Sequence, residues 1–189
     1  MVLIVGTAGK SGSLSAAAAR QAGARKIIGV VPDEAEATLL RNLPTTPDGA
    51  AEGAATASEN QQSRPRPATH PRAPESSLVD EMVVADARDP VRLAEKVEEA
   101  GGPADVTVVC VDVAGCEGGA ILSTKQGGTV IFFSMATSFS AAALGAEGLA
   151  ADVTMLVGNG YVPGHADLAL ELIRTTPSVR RLFDMRVGS

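Results

Sequence analysis

Short apolar runs alternate with helix-like stretches along the chain. Six of these runs are rich in β-branched residues: VLIV, KIIGVV, EMVVA, DVTVVCV, GTVIFF and DVTMLV. Runs this apolar are typical of strands that are buried on both faces. They therefore predict a mostly parallel sheet.

Helical patterns separate these runs at 13–22, 33–42, 90–100 and 165–175. Strands that alternate with helices imply right-handed crossovers. We therefore predict a single α/β domain with a doubly wound, parallel, six-stranded Rossmann sheet. The run DVTMLV is expected at a sheet edge, where an apolar strand can pair with a second copy of the chain. This arrangement predicts a homodimer.

One segment, from Leu43 to Ser77, interrupts the alternation. It holds six of the chain's eleven prolines and a single large aliphatic residue. Such a segment buries too little apolar surface to offset its ordering entropy. We expect a disordered insertion before the third strand, in which His70 has no chemical role. A linker between two domains is the weaker alternative, because Met1 to Asn42 contains only two strands and two helices.

The net charge and the cysteine content argue against several classes of function. The net charge of −6 argues against nucleic-acid binding, which requires a basic face. Cys110 and Cys116 are the only cysteines, and no metal-binding Cys/His pattern accompanies them. No secretory signal and no membrane-length apolar run are recognisable. We expect a soluble, cytoplasmic protein with free thiols, no metal and no membrane contact.

The stretch VGTAGKSG, Val5 to Gly12, has two interpretations. A nucleoside triphosphate loop, G-x-x-x-x-G-K-[ST], needs a glycine at the position of Ile4, which lies inside the first predicted strand. A dinucleotide-binding turn needs glycines between a strand and a helix, as found here in the G-x-x-G-x-x-G spacing. The dinucleotide interpretation fits better.

Each residue of this turn has an expected role. Gly6 permits the tight turn, Ala8 and Gly9 admit a pyrophosphate to the backbone, and Gly12 permits close packing of helix on strand. The amide groups at the helix start can bind the anion. Lys10 and Ser11 add a charge and a hydroxyl there, unless Lys10 is only a solvated side chain. Asp33, after the second strand, either reaches the adenosine ribose or caps the next helix.

Further candidates follow the later strands. Ligands bind at the carboxyl ends of parallel strands, where Asp86, Asp112, Ser134 and Asn159 are expected. The hydroxyls of SMATSFS can contact a ligand or cap a helix at Ser138 or Ser140. His165 is either an acid/base group or a capping or surface residue. The sequence identifies no catalytic residue.

Several segments resemble known dehydrogenases. The glycine turn, IIGVV, VVCVDVAG and GGTVIFF resemble the nucleotide-binding half of medium-chain dehydrogenases. EMVVADARDP, FFSMATSFSAAALGAEG and DVTMLVGNGYVPGHA resemble the L-erythro-3,5-diaminohexanoate dehydrogenases of lysine fermentation. The resemblance implies NAD- or NADP-dependent oxidative deamination, in which the 3-amino carbon loses hydride and water then releases ammonia, giving 5-amino-3-oxohexanoate.

The resemblance also implies positions for the cofactor. Gly6, Gly9 and Gly12 match the pyrophosphate turn, and Asp86 and Ala87 would lie near the adenine. The nicotinamide ribose would lie near Val111, Asp112 and Val113, with Ser134 and Met135 at the exit of the fifth strand.

Medium-chain dehydrogenases carry an amino-terminal catalytic domain, whereas Met1 opens directly on the first strand. We therefore expect that domain to be absent and a separate chain to supply it. A dinucleotide-sensing or scaffold module is the alternative from another functional class. A remnant of a broken gene, which would bind no dinucleotide, is a third.

Overall fold

A computed structural model of the protein describes residues 1–44, 77–158 and 162–187. The expected disorder of the insertion and the positions of His70 and Asn159 lie outside the described residues. Six parallel strands form one sheet in the order β3-β2-β1-β4-β5-β6. The strands are β1 (Val2–Val5), β2 (Ile27–Val31), β3 (Glu81–Val84), β4 (Ala104–Val109), β5 (Thr124–Phe132) and β6 (Val153–Val157). This order is that of dinucleotide-binding folds and confirms the predicted Rossmann class.

Helices connect the strands and follow β6. They are α1 (Lys10–Gln21), α2 (Glu34–Arg41), α3 (Pro90–Glu99), α4 (Glu117–Leu122), α5 (Phe139–Gly148), α6 (His165–Thr175) and α7 (Pro177–Val187). The four predicted helices are present, but α1 begins at Lys10 rather than at Ser13. Its first turn contains Lys, Ser and Gly, so no apolar periodicity marks it. The fourth strand ends at Val109, so Cys110 and Val111 belong to its exit loop.

The core lies on both faces of the central strands. Leu3 and Ile4 of β1 are fully buried on opposite faces. Leu3 belongs to a cluster with Leu93 and Val97 of α3, whereas Ile4 belongs to a cluster completed by α1, α6 and α7. Burial on both faces explains why β1 and β2 are continuous apolar runs.

The sheet has β3 and β6 at its edges, as predicted for β6. Edge position changes the environment of β6, because Leu156 is 53% exposed and Val157 is 36% exposed. The expectation that every apolar run is buried on both faces is therefore wrong for β6. Among the described residues no strand pairs with the outer side of β6, which presents apolar side chains at that edge of the sheet.

The strand order also locates the ligand crevice. The connection from β1 leads through α1 to β2 on one side, while β4 pairs with β1 on the other. The loops after β1 and β4 diverge at this point, leaving a crevice at the carboxyl ends of the strands. In the described ranges, no helix has the length and apolar character needed to cross a bilayer. The same ranges contain no cluster of three or more His, Cys, Asp or Glu residues suited to a metal ion.

Candidate functional site: a glycine turn at the switch point

The glycine turn lies between β1 and α1 and touches the exit loop of β4. Gly6 has φ +88°, and a Cβ built on it would lie 2.5 Å from Cγ1 of Val111. The Gly9 amide donates a 3.0 Å hydrogen bond to the Gly6 carbonyl oxygen, which closes the turn. A left-handed backbone and a neighbouring loop together favour glycine at position 6.

Gly12 lies in the first turn of α1 and packs against the glycine turn itself. A Cβ built on Gly12 would lie 2.1 Å from the Gly6 carbonyl oxygen and 2.9 Å from Cα of Thr7. Both neighbours are backbone atoms, which cannot rotate away. The predicted close approach of helix and strand at Gly12 is therefore observed.

The start of α1 has the features of an anion site. Gly9 precedes the helix in an extended conformation without a side-chain cap, and the first turn contains no acidic residue. The regular helical pattern begins when the Ser13 amide donates to the Gly9 carbonyl oxygen, at 2.9 Å. The amides of residues 10–12 precede that bond and carry the positive end of the helix dipole. Lys10 is exposed and Ser11 is half-buried beside them.

Two contacts that the sequence did not predict support this turn. Thr7 is fully buried, and its hydroxyl donates a 2.8 Å hydrogen bond to the Ile4 carbonyl oxygen. Arg186, near the end of α7, donates from Nη2 to the carbonyl oxygen of Ala8 at 3.1 Å. Ala8 itself is fully buried. The carboxyl-terminal helix therefore contributes to the glycine turn.

The exit loops of β4 and β5 meet beside the turn. Ser134 Oγ donates to Asp112 Oδ1 at 3.5 Å and accepts a 3.1 Å hydrogen bond from the Ala136 amide. Val113 is 45% exposed and Met135 is 89% exposed on the same edge. The structure therefore brings Gly6 close to Val111 and Asp112 close to Ser134.

An open cavity of about 330 Å³ lies between the β5 exit loop and the end of β6. It is lined mainly by apolar side chains with two hydroxyl groups: Phe133, Ser134, Met135, Thr137, Phe139, Val157 and Gly158. Ser138 is not among the lining residues. Its hydroxyl instead caps α5 by accepting a 3.2 Å hydrogen bond from the Ala141 amide. The hydroxyls of SMATSFS thus divide between lining the cavity and capping a helix.

The acidic side chains that follow β2 and β3 both have partners within the chain. Asp33 caps α2, since its Oδ1 accepts a 2.9 Å hydrogen bond from the Glu36 amide. Asp86 forms a bidentate ion pair with Arg88, with Nε to Oδ1 at 2.9 Å and Nη2 to Oδ2 at 2.7 Å. The hydrogen bond from the Arg88 side chain, followed by that from its amide, lowers the pKa of Asp86 to about 2. Ala87, between them, is half-buried against two core clusters.

The ion pair at Asp86 gives a pH prediction. The pKa of Asp86 is about 2 in the folded chain, against 3.8 for the free side chain. The pair therefore contributes to stability above about pH 4, and this contribution is lost as the pH falls from there through 2. Arg88→Met should raise the Asp86 pKa toward 3.8 in an NMR titration, while Arg92→Met, on the following helix, should leave it near 2. An unchanged midpoint in Arg88→Met would contradict this assignment.

The environments of the two thiols do not favour a nucleophilic role, and His165 lies at a helix start. Burial raises the pKa of Cys110, and burial with the Glu117 and Asp86 charges raises the pKa of Cys116 to about 11. Both thiols therefore stay protonated at neutral pH. His165 begins α6, and its Nδ1 lies 2.7 Å from the Val162 carbonyl oxygen. This contact matches a residue at a helix start.

Two curated proteins match the chain in sequence, and both are named L-erythro-3,5-diaminohexanoate dehydrogenase. The protein from Acetoanaerobium sticklandii is 46% identical over 112 residues, which cover 58% of this chain and 33% of that protein. The protein from Fusobacterium nucleatum is 37% identical over 187 residues, which cover 97% of this chain and 45% of that protein. The chain is a homologue of these dehydrogenases. It spans less than half the length of either relative.

Solved structures agree with the fold of this homologue of the 3,5-diaminohexanoate dehydrogenases. The crystal structure of AibC aligns with a TM-score of 0.57 at 19% identity, covering 99% of this chain and 46% of that one. The structure of 2R,3R-butanediol dehydrogenase from Bacillus subtilis aligns with a TM-score of 0.57 at 18% identity, covering 95% and 41%. At these identities the likeness concerns the fold alone. The chain matches no protein-family profile.

Proposed function

We propose that this chain is the nicotinamide-dinucleotide-binding part of an amine-oxidising dehydrogenase. The observation that carries the proposal is the packing of the glycine turn. A Cβ built on Gly12 would lie 2.1 Å from the Gly6 carbonyl oxygen, so no side chain fits there. We infer that this packing presents the amides at the start of α1 to the crevice between β1 and β4. A dinucleotide diphosphate fits such a cradle. When bound, the nicotinamide ring supplies the hydride acceptor for the oxidation.

The proposed contacts follow the crevice from one end of the cofactor to the other. Asp86 and Ala87 would flank the adenine, and Asp33, which caps α2 through Oδ1, would also face the adenosine ribose. The diphosphate would lie on the turn made by Gly6, Ala8, Gly9, Lys10, Ser11 and Gly12. Val111, Asp112 and Val113 would lie beside the nicotinamide ribose, with Ser134 and Met135 at the ring.

The surroundings of β2 favour NAD over NADP. Asp33, Glu34 and Glu36 are clustered after this strand, and the Glu34 carboxylate pairs with Arg41 at 3.2 Å. Three carboxylates disfavour the additional 2′-phosphate of NADP, which is usually bound by a nearby arginine. We therefore expect NAD⁺ to bind more tightly than NADP⁺, with a difference that shrinks as salt is added.

The reaction proposed for the complete enzyme is that of the named relatives, oxidative deamination of a 3,5-diamino acid. This chain would supply the cofactor site, and a further catalytic unit would supply the substrate site and exclude water. Support comes from the cavity rim, where Met135 is 89% exposed and Phe139 is 68% exposed. Apolar side chains that are this exposed beside a ligand crevice are typical of a surface that another polypeptide covers. That unit belongs either to a separate chain or to a longer form of this one.

Calorimetric titration of the purified chain with NAD⁺, NADP⁺, NADH and ATP tests this proposal. We expect the two NAD forms to bind and ATP to bind weakly, because ATP lacks the nicotinamide half that reaches the β5 loop. Absence of binding by every dinucleotide would reject the cofactor site, and the dehydrogenase assignment with it. Dinucleotide binding without amine oxidation, even with the catalytic unit added, would favour a sensing or scaffold module.

The edge strand β6 leads to a prediction about assembly. We propose that two copies pair through β6, because its outer edge is open and Leu156 is 53% exposed on it. Light scattering should then give a dimer mass at micromolar concentration. Leu156→Lys should shift the mass toward the monomer, whereas Val91→Lys, at an exposed position on α3, should not. A monomer mass that does not depend on concentration would contradict the proposal.

A further inference from the structure

Glu117 is a buried acid that the sequence patterns did not single out. It is the first residue of α4 and only 4% exposed. Burying a carboxylate is costly unless hydrogen bonds compensate for the lost hydration. Its Oε1 accepts a 2.7 Å hydrogen bond from the Ser138 amide, 21 residues further along the chain. This bond joins the start of α4 to the end of the β5 exit loop.

Ser138 is the junction between that loop and α5. Its hydroxyl caps α5 through the Ala141 amide, while its own amide points back to Glu117. The other end of the loop is held by Ser134, whose hydroxyl contacts Asp112 at 3.5 Å. The loop from Ser134 to Ser138 is therefore attached at both ends to the segment that follows β4.

The two attachments differ in strength. The Asp112 contact is at the long limit of a hydrogen bond and is exposed to water. The Glu117 contact is short, charge-assisted and partly buried, and charge-assisted bonds contribute more. Glu117 therefore dominates the position of the loop. Met135 and Thr137, which line the cavity, lie between the two attachments.

We infer that Glu117 is a positioning residue for the nicotinamide end of the crevice. It acts through the Ser138 amide, which fixes the loop that forms one wall of the cavity. This inference rests on the proposed dinucleotide function and adds a residue outside every predicted contact. Glu117 does not touch the ligand, so its effect is confined to ligands that reach the cavity.

Paired ligands and matched variants test the inference. Glu117→Met keeps the volume of the side chain but removes the acceptor, Glu117→Gln keeps an acceptor oxygen, and Glu147→Met changes an exposed glutamate on α5. NADH is compared with ADP-ribose, which lacks the nicotinamide ring. In Glu117→Met we expect NADH to bind at least about tenfold more weakly, with loss of the fluorescence enhancement of bound NADH. ADP-ribose affinity should stay within about twofold. Glu117→Gln should restore most of the NADH affinity, and Glu147→Met should match the unmodified chain.

Hydrogen exchange of the Ser138 amide provides a readout that requires no ligand. Exchange should be slow in the unmodified chain and in Glu117→Gln, and at least about tenfold faster in Glu117→Met. Equal losses of NADH and ADP-ribose affinity would show a merely structural role and overturn the inference alone. Rapid Ser138 exchange in the unmodified chain would also overturn it. Failure of the unmodified chain to bind either ligand would instead reject the proposed function, and the positioning role with it.

Discussion

Gly12→Ala is expected to lower the stability of the fold by about 3 kcal/mol, because overpacking a filled site usually costs about 1–3 kcal/mol and sometimes more. The added Cβ would lie 2.1 Å from the Gly6 carbonyl oxygen, 2.7 Å from its carbon and 2.9 Å from Cα of Thr7. Relief requires α1 to move away from β1, since none of these atoms belongs to a side chain. For a chain of this size, that loss lowers the melting temperature by roughly 10 °C.

Gly148→Ala is the control for that substitution. Gly148 is the last residue of α5, and a Cβ built on it meets no atom within 4 Å. Alanine there should be neutral or slightly stabilising, by up to about 1 kcal/mol. Urea denaturation of both variants measures the difference. Equal stabilities would show that α1 does not pack on the glycine turn as described, and would weaken the case for the diphosphate cradle.

The glycine turn and the strands show what the sequence could predict. The spacing of Gly6, Gly9 and Gly12 after an apolar strand indicated the turn and its packing, because both depend on neighbouring residues. The six strands were likewise predictable, since apolar runs between helical patterns are local signals. The doubly wound parallel class followed from the alternation of strands and helices and the rule of right-handed crossovers.

Contacts between distant residues were not predictable in this way. Arg186 and Ala8 are separated by 178 positions, and Glu117 and Ser138 by 21. Neither pair leaves a periodic signal, and an arginine or glutamate on a short helix has the appearance of a solvated side chain. Asp33 was left open between ribose and cap for a related reason. The hydrogen bond from the Glu36 amide to its Oδ1 shows that the carboxylate caps α2.

The two ends of the crevice also differ in how they are held. The glycine turn is constrained by backbone packing, as Gly6 and Gly12 allow no side chain. The loop at Ser134 to Ser138 is constrained by side chains, and its apolar neighbours are exposed. The proposed diphosphate end would therefore be formed within this chain, whereas the proposed nicotinamide end is expected to tighten only when a catalytic unit covers it.

Gly9→Asp is expected to abolish dinucleotide binding while leaving the fold intact. Position 9 has φ −72°, and its only close neighbour is the Gly6 carbonyl oxygen, at 3.2 Å, so a side chain fits with a small adjustment. Gly9 is also the residue before α1, where Asp accepts hydrogen bonds from the first-turn amides and stabilises a helix by a few tenths of a kcal/mol relative to Gly. The new carboxylate would occupy the amides proposed to bind the diphosphate.

Charge repulsion adds to that competition. Two like charges 4 Å apart near a protein surface repel by about 4 kcal/mol, so affinity for NAD⁺ should fall at least about a hundredfold. Gly9→Asn caps the helix equally well without the charge, and it should lose less affinity, with a weaker dependence on salt. Calorimetry with NAD⁺ and thermal unfolding of both variants measure the two effects separately. If Gly9→Asp binds NAD⁺ as tightly as the unmodified chain, the diphosphate does not lie at the start of α1 and the cofactor must bind elsewhere on the sheet.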